Sequence, residues 1–342
     1  MKIAQIAPLI ERVPPQRYGG TERVVSALTE ALVARGHEVT LFASGDSATS
    51  AKLASIYPKG LREAKLLRSA ADDWTLRHIR FAYAQETRFD IIHDHVAPAS
   101  VAVADRATTP VIMTMHGEFT PDNRELFMAL SHPRVVCLSH AHRASFPGAH
   151  LLDIVYNGLS MEKYPFGERP GEYLLQVGRI APEKGTHIAI DVAEQLHLPL
   201  IIAAKVDAVD KAYFQAEIRH RLSERIRWVG EVDEKERNDL MRRALCFLHP
   251  MTGVESFGLT LIEAMACGCP VVAFNRGSIP EIIKDGVTGY VVKDAEAMKR
   301  AVLSIVSINR AACREHALSK FNVKRMTDDY EALYAKVRAG RA

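Results

Sequence analysis

The sequence predicts an α/β protein built from two doubly wound halves, and three observations carry that reading. The chain is 342 residues long, more than one hydrophobic core usually supports. Short apolar runs alternate with segments whose apolar residues recur at helical spacing, the pattern of parallel strands with crossover helices. Near Tyr164 to Gly171 the composition shifts to Pro165, Gly167, Pro170 and Gly171, which reads as a linker between two such series.

In the first series, Lys2 to Ala7 is a strand, followed by a loop through Pro14, Pro15 and Tyr18 that ends at Gly19 and Gly20. From Thr21 the residues Val24, Ala27, Leu28, Ala31 and Leu32 fall on one helical face, and Gly36 closes the helix. Glu38 to Ala43 is the next strand, giving a βαβ unit in which a glycine pair lets backbone approach a ligand. No Gly-x-Gly-x-x-Gly dinucleotide fingerprint is present, and Gly-Gly alone is as often a plain turn. Further strands are expected at Asp90 to His95, Val111 to Met115, Arg134 to Leu138 and Leu152 to Val155. His93, Asp94, His95 and His116 fall near their ends. No completing ligand pattern follows these four, so hydrogen bonding or packing is expected of them rather than metal binding.

The second series begins with a strand at Tyr173 to Gly178, a helix at Thr186 to Leu196 and a strand at Leu200 to Ala204. A helix near Asp210 to Leu222 and a strand at Ile226 to Gly230 follow. Asp233 with Glu236 opens a helix as a capping-box variant. The strand Leu245 to His249 then delivers the stretch Glu255 to Pro270. There Gly258 and Leu259 open a helix, Gly268 ends it, and Pro270 leads into a strand at Val271 to Phe274. Tyr290 to Val292 is the last strand, and helices run to about Arg338. Two similar halves facing each other would make a cleft, with ligands beyond the carboxyl ends of the strands.

Composition bounds the function. Hydrophobic residues at 48% and charged residues at 25% are ordinary for a soluble globular protein. A net charge of +3 favours anionic ligands weakly and argues against a dedicated nucleic-acid binder. The five cysteines, an odd count without paired metal-ligand spacing, point to reduced thiols and a cytoplasmic setting. No apolar run approaches the roughly 18 residues that span a bilayer. The basic segment Lys59 to Arg68 is expected as a solvated surface helix, of a composition that suits contact with an anionic membrane surface.

The chemistry concentrates in two places. Glu255 and Glu263 lie eight residues apart, about 12 Å if all helical, which is too far for a hydrolytic acid/base pair. A loop carboxylate, bare helix amides and a helix carboxylate would instead suit phosphate and sugar hydroxyls. In the loop Gly178 to Gly185, Arg179 and Lys184 follow a strand and precede a helix. This pair suits a diphosphate leaving group, with a solvated surface salt bridge as the plainer alternative.

Taken together, the motifs have a precedent. The order Gly19-Gly20-Thr21-Glu22, Met115-His116-Gly117, Asn157-Gly158, Gly178-Arg179 with Lys184-Gly185, and Glu255-x7-Glu263 with Phe257-Gly258 resembles the retaining glycosyltransferases of family four over nearly the whole chain. The resemblance implies a GT-B fold, two Rossmann-like domains around a cleft. Residues 1–165 would form the acceptor-side domain, with a final helix at about 323–338 crossing back onto it. Residues 166–322 would form the nucleotide-sugar domain.

It further implies a hexosyltransferase that moves a hexose from a nucleoside-diphosphate sugar, UDP first and GDP second, to a hydroxyl-bearing acceptor. Arg179 and Lys184 would neutralise the diphosphate, Glu255 would hold the transferred sugar and Glu263 the ribose. Phe257, Gly258 and Leu259 would help place sugar and phosphate. Gly19 and Gly20 would approach the diphosphate and His116 would sit over the sugar. No cofactor and no metal are expected, since no Asp-x-Asp arrangement appears. A nucleotide-sugar epimerase on the same scaffold is the first alternative, and a non-catalytic sugar-nucleotide-binding protein the second.

Overall fold

The computed structural model describes residues 1–132, 134–146, 148 and 151–340. They fold into two compact units, Met1–Ser160 with Asn322–Ala342, and Met161–Phe321. Each unit contains one all-parallel sheet, whose central strands are almost continuously buried because such sheets are covered on both faces.

The first sheet consists of β1 (Lys2–Ile6), β2 (Glu38–Phe42), β3 (Lys52–Ala54), β4 (Ile91–Asp94), β5 (Val111–Thr114), β6 (Val135–Cys137) and β7 (Leu151–Ile154), in the order β3-β2-β1-β4-β5-β6-β7. On one face Ala4, Ile6, Phe42, Ile92, Met113 and Val135 share a core with Ile79 and Phe127. Elsewhere Ala7, Leu41 and Ala43 pack with Val13 and Val25. Four strand positions are buried yet polar: Gln5, His93, Asp94 and Thr114. The helix Val323–Arg338 belongs to this unit. Its Arg325 donates to the carbonyls of Tyr156 and Asn157, and Glu331 pairs with Arg35 and His37.

The second sheet consists of β8 (Leu174–Arg179), β9 (Leu200–Lys205), β10 (Ile226–Trp228), β11 (Cys246–His249), β12 (Val271–Phe274) and β13 (Gly289–Val292), ordered β10-β9-β8-β11-β12-β13. In both sheets the strand order reverses beside the first strand of the series, between β1 and β4 and between β8 and β11. Such switch points leave a crevice at the carboxyl ends, where ligands of open α/β sheets bind. The capping box on Glu234–Arg243 is present, Asp233 Oδ1 accepting from Glu236 N–H at 2.8 Å and Glu236 Oε2 from Asp233 N–H at 3.1 Å.

Four local expectations are corrected. Lys59 to Arg68 is not a helix: residues 61–65 form turns, Leu61 and Arg62 N–H donate to the carbonyls of Leu9 and Ile10, and the helix starts only at Arg68. Between the expected strands Glu38 to Ala43 and Asp90 to His95, where only the basic segment was assigned, the chain also contains β3 and the helix Arg68–Tyr83. That helix lacks a side-chain cap and buries only His78, Ile79, Ala82 and Tyr83, so its periodicity is faint in the sequence. Residues 208–221 are a run of 3₁₀, α and π turns rather than one helix.

The fourth correction concerns the linker. Tyr164 to Gly171 is packed into the second unit, which begins at Met161 rather than at 166. Gly167 N–H donates to the Cys267 carbonyl at 3.0 Å, and Arg310 donates to the carbonyls of Gly167, Ala244 and Arg242. A Cβ on Gly167 would stand 1.9 Å from the Arg242 carbonyl oxygen, and one on Gly171 1.6 Å from that of Arg243. These glycines serve close backbone approach, not flexibility.

Candidate active site

In the second unit the carboxyl ends of β8 and β11 carry the charged residues. Arg179 ends β8, in register with Lys205 of β9, and Lys184 ends the turn Pro182–Lys184 that follows. His249 ends β11, and Glu255 lies in the loop before the helix Leu259–Ala266. Lys184 Nζ lies 3.7 Å and His249 Nε2 3.3 Å from Glu255 Oε2. Phe257 N–H donates to Glu255 Oε1 at 3.5 Å, and the Glu255 carbonyl accepts from Ser278 N–H at 2.9 Å, so side chain and backbone are both fixed. Burial works against ionisation of Glu255. His249, Lys184 and the Phe257 amide outweigh it and bring the carboxyl down to about 2. At neutral pH Glu255 is therefore an acceptor only.

Gly258 caps that helix with φ 88°, a left-handed conformation that favours glycine, and an added Cβ would meet Leu261 Cδ1 at 2.8 Å. No side chain caps the helix, nor the helix Thr186–Leu196, which starts after Gly185. Their first amides keep the partial positive charge of a helix N-terminus, the feature that attracts anions.

Arg179 and Glu263 both have partners within the protein. The Arg179 guanidinium goes to Asp210 at 2.8 Å and to Glu183, which fixes its plane and leaves three of its five N–H donors. Glu263, 2% exposed, is held inside the unit by Arg237 at 3.0 Å and by the Tyr164 hydroxyl, which donates at 3.2 Å. These contacts hold its carboxylate in place within the unit. Sequence reasoning passed over His249, Arg237 and Tyr164. Only His249 carried a usable signal, a polar residue at the carboxyl end of an apolar strand next to the switch point.

In the first unit, Gly19 caps the helix Gly20–Ala34 at φ 143°, again without a side-chain cap, and Gly20 is exposed at its first turn. An added Cβ on Gly19 would meet Pro15 Cβ at 2.7 Å. His116 follows β5 and is half-buried. Its Nε2 lies 2.9 Å from His95 Nδ1, and His95 Nε2 lies 2.8 Å from Gln5 Oε1. His93 meets Tyr334 and Thr114, while Asp94 turns elsewhere, accepting from the Tyr83 hydroxyl at 2.7 Å and from Val96 N–H. Burial pushes His93 and His95 well below the usual imidazole range and His116 down to about 3. Among the described residues no three His, Cys, Asp or Glu side chains form a metal-holding group, and no helix is long and apolar enough to cross a membrane.

Family comparison joins the two halves. Residues 18–163 match the model "Glycosyltransferase Family 4" and residues 162–320 match "Glycosyl transferases group 1". The chain is a family-four GT-B glycosyltransferase.

Among its relatives, the glycogen synthase of Mycobacterium tuberculosis is 26% identical, over 93% of this chain and 89% of that protein. The phosphatidyl-myo-inositol mannosyltransferase of the same organism is also 26% identical, over 98% and 95%. Of solved structures, the sucrose-phosphate synthase of Thermosynechococcus elongatus has the same fold at TM-score 0.81 and 20% identity, covering 99% of this glycosyltransferase and 100% of that chain. The Anabaena protein HepE in complex with UDP and glucose matches at TM-score 0.77 and 18% identity, over 98% and 100%.

Proposed function

We propose that this glycosyltransferase moves a hexose from a nucleoside-diphosphate sugar to a hydroxyl-bearing acceptor, with retention at the anomeric carbon and without a metal ion. UDP is the first choice of nucleotide and GDP the second. The observation that carries this reading is the convergence of Lys184 and His249 on an ionised Glu255 beside an uncapped helix start. The complex of the Anabaena neighbour with UDP and glucose supports the order of nucleotides.

In this scheme the bond between the sugar and the diphosphate breaks and charge grows on the leaving oxygen. Lys184, the spare donors of Arg179 and the first amides of the helix Leu259–Ala266 oppose that charge. Glu255, fixed by His249 and unable to donate a proton at neutral pH, accepts hydrogen bonds from sugar hydroxyls. The acceptor hydroxyl attacks from the face that the diphosphate leaves, and its proton passes to the departing phosphate, so no carboxylate nucleophile is required. Neutral His116 serves as a hydrogen-bonding contact to the sugar, and Gly19 and Gly20 let backbone approach the diphosphate. Glu263, held by Arg237 and Tyr164, accepts hydrogen bonds from the ribose hydroxyls.

A thermal-shift series with UDP-, GDP- and ADP-sugars names the donor as the one that raises the melting temperature beyond its free nucleotide. With that donor, Lys184→Ala is expected to lower kcat roughly 10²- to 10³-fold, the range for removing one donor to a developing oxyanion. Transfer unchanged in both Lys184→Ala and Glu255→Ala would overturn the site. The product anomer, read by NMR, tests retention, and an epimer formed from donor alone would favour the epimerase instead.

A further inference from the structure

The His116 ring ends a chain of hydrogen bonds that runs through the interior of the first unit. From His116 Nε2 the chain passes to His95 Nδ1 at 2.9 Å, and from His95 Nε2 to Gln5 Oε1 at 2.8 Å. Gln5 Nε2 donates to the Tyr334 hydroxyl at 3.1 Å, which lies 2.6 Å from His93 Nδ1. His93 Nε2 lies 2.7 Å from Thr114 Oγ1, itself 2.8 Å from the Tyr330 hydroxyl. Gln5, His93, Thr114 and Tyr334 have no exposed surface, and His95 and Tyr330 have 3% and 1%. Gln5 and His93 are register partners in β1 and β4, and Tyr330 and Tyr334 are one turn apart on the helix Val323–Arg338.

The donors and acceptors in this chain can be assigned. Gln5 Oε1 has only lone pairs, so His95 Nε2 carries a proton. A neutral His95 then presents a lone pair on Nδ1, and His116 Nε2 must donate to it. We infer that His95 is a positioning residue that fixes His116 as the tautomer protonated on Nε2, leaving Nδ1 to accept a hydrogen bond from the transferred sugar. The last clause rests on the sugar contact proposed for His116; the tautomer does not.

Beyond Gln5 the sense is the same. The Gln5 amide donates to Tyr334, Tyr334 donates to His93 Nδ1, and His93 Nε2 donates to Thr114. Turning the amide of Gln5 over would reverse every one of these donors, so a single glutamine sets the tautomers of three histidines. The groups around His116 are consistent with neutral rings. His95 is pushed well down by burial, with the nearby His93 and His116 adding to it. His142, which also faces His116, is pushed down to about 4 by burial and stacks on Phe119 with ring centres 4.7 Å apart. Among the described residues His116 Nδ1 has no hydrogen-bond partner, and the ring is half-buried, so this nitrogen is open to a ligand.

The test uses the full chain labelled with ¹⁵N-histidine, with the His116 signals assigned by their loss in His116→Ala. Long-range ¹H–¹⁵N correlation at neutral pH is expected to show a protonated Nε2 and a bare Nδ1. His95→Phe keeps a ring and removes the acceptor. It is expected to mix the two tautomers and to lower kcat about ten- to a hundred-fold with the donor KM unchanged. His95→Asn, whose Oδ1 can stand where Nδ1 stood, is expected to restore both. A proton on His116 Nδ1 in the unsubstituted protein, or a His116 signal indifferent to His95→Phe, overturns the inference. The first of these needs no His95 variant to fold. Transfer that persists in His116→Ala would remove the sugar contact alone, and it is read separately from the tautomer.

Discussion

In the second unit the candidate site is held by charge: Lys184 pairs with Glu255, and Arg237 closes on Glu263. In the first unit the site ends in neutral rings, an amide and hydroxyls, each of which must point the right way. Charges attract over several ångströms and tolerate small displacements, whereas a hydrogen bond weakens steeply once its angle or distance is wrong. The second unit is thus equipped to stabilise charge that changes during the reaction. The first is equipped to keep one nitrogen in one protonation state.

This contrast can be tested from its strongest member downward. Arg237→Met leaves Glu263 buried without its cation and is expected to cost about 3–5 kcal/mol of stability by urea denaturation. A loss below about 1 kcal/mol would mean that Glu263 reaches water, as only a surface pair would allow.

Glu255 comes next. Its folded pKa of about 2 lies below the ordinary 4.5, so its contribution is complete above pH 4.5 and disappears as pH falls toward 2. The stability gap between the unsubstituted protein and Glu255→Gln should therefore narrow over that window, by about 3 kcal/mol at most. A gap that stays constant down to pH 3 would contradict the charge-held description.

The smallest effect belongs to the neutral chain. Tyr330→Phe removes its last hydroxyl and should cost about 1 kcal/mol, the usual net value of one hydrogen bond. Because His93 is held well below the usual imidazole range, that cost should be flat from pH 5 to 8. A cost that varies with pH there would show that the chain carries charge.

The two kinds of site were also unequally legible in the sequence. Arg179, Lys184, Glu255 and the glycines lie within short, ordered stretches, and the alternating apolar runs announced both sheets. Glu263 was visible, but its partners Tyr164 and Arg237 were not, because they lie 99 and 26 positions away and only folding joins them. The neutral chain was hidden for the same reason. Gln5 and Tyr334 carry no charge pattern, and 329 positions separate them. The helix Arg68–Tyr83 escaped because its buried face is narrow and uncapped. The linker was misjudged because glycine is equally suited to a loose hinge and to tight backbone contact, and only the carbonyls of Arg242 and Arg243 decide between them.

That separation of Gln5 from Tyr334 has a consequence in time. Gln5 leaves the ribosome 329 residues ahead of Tyr334, and the entire second unit, Met161–Phe321, is made in the interval. At about 5–20 residues per second, the 174 residues from Ser160 to Tyr334 leave the first unit without its closing helix for roughly 9–35 seconds. During that interval His93 and Gln5 lack the tyrosine that orients them, so a nascent chain can hold a finished second unit while His116 still awaits its full hydrogen-bond chain.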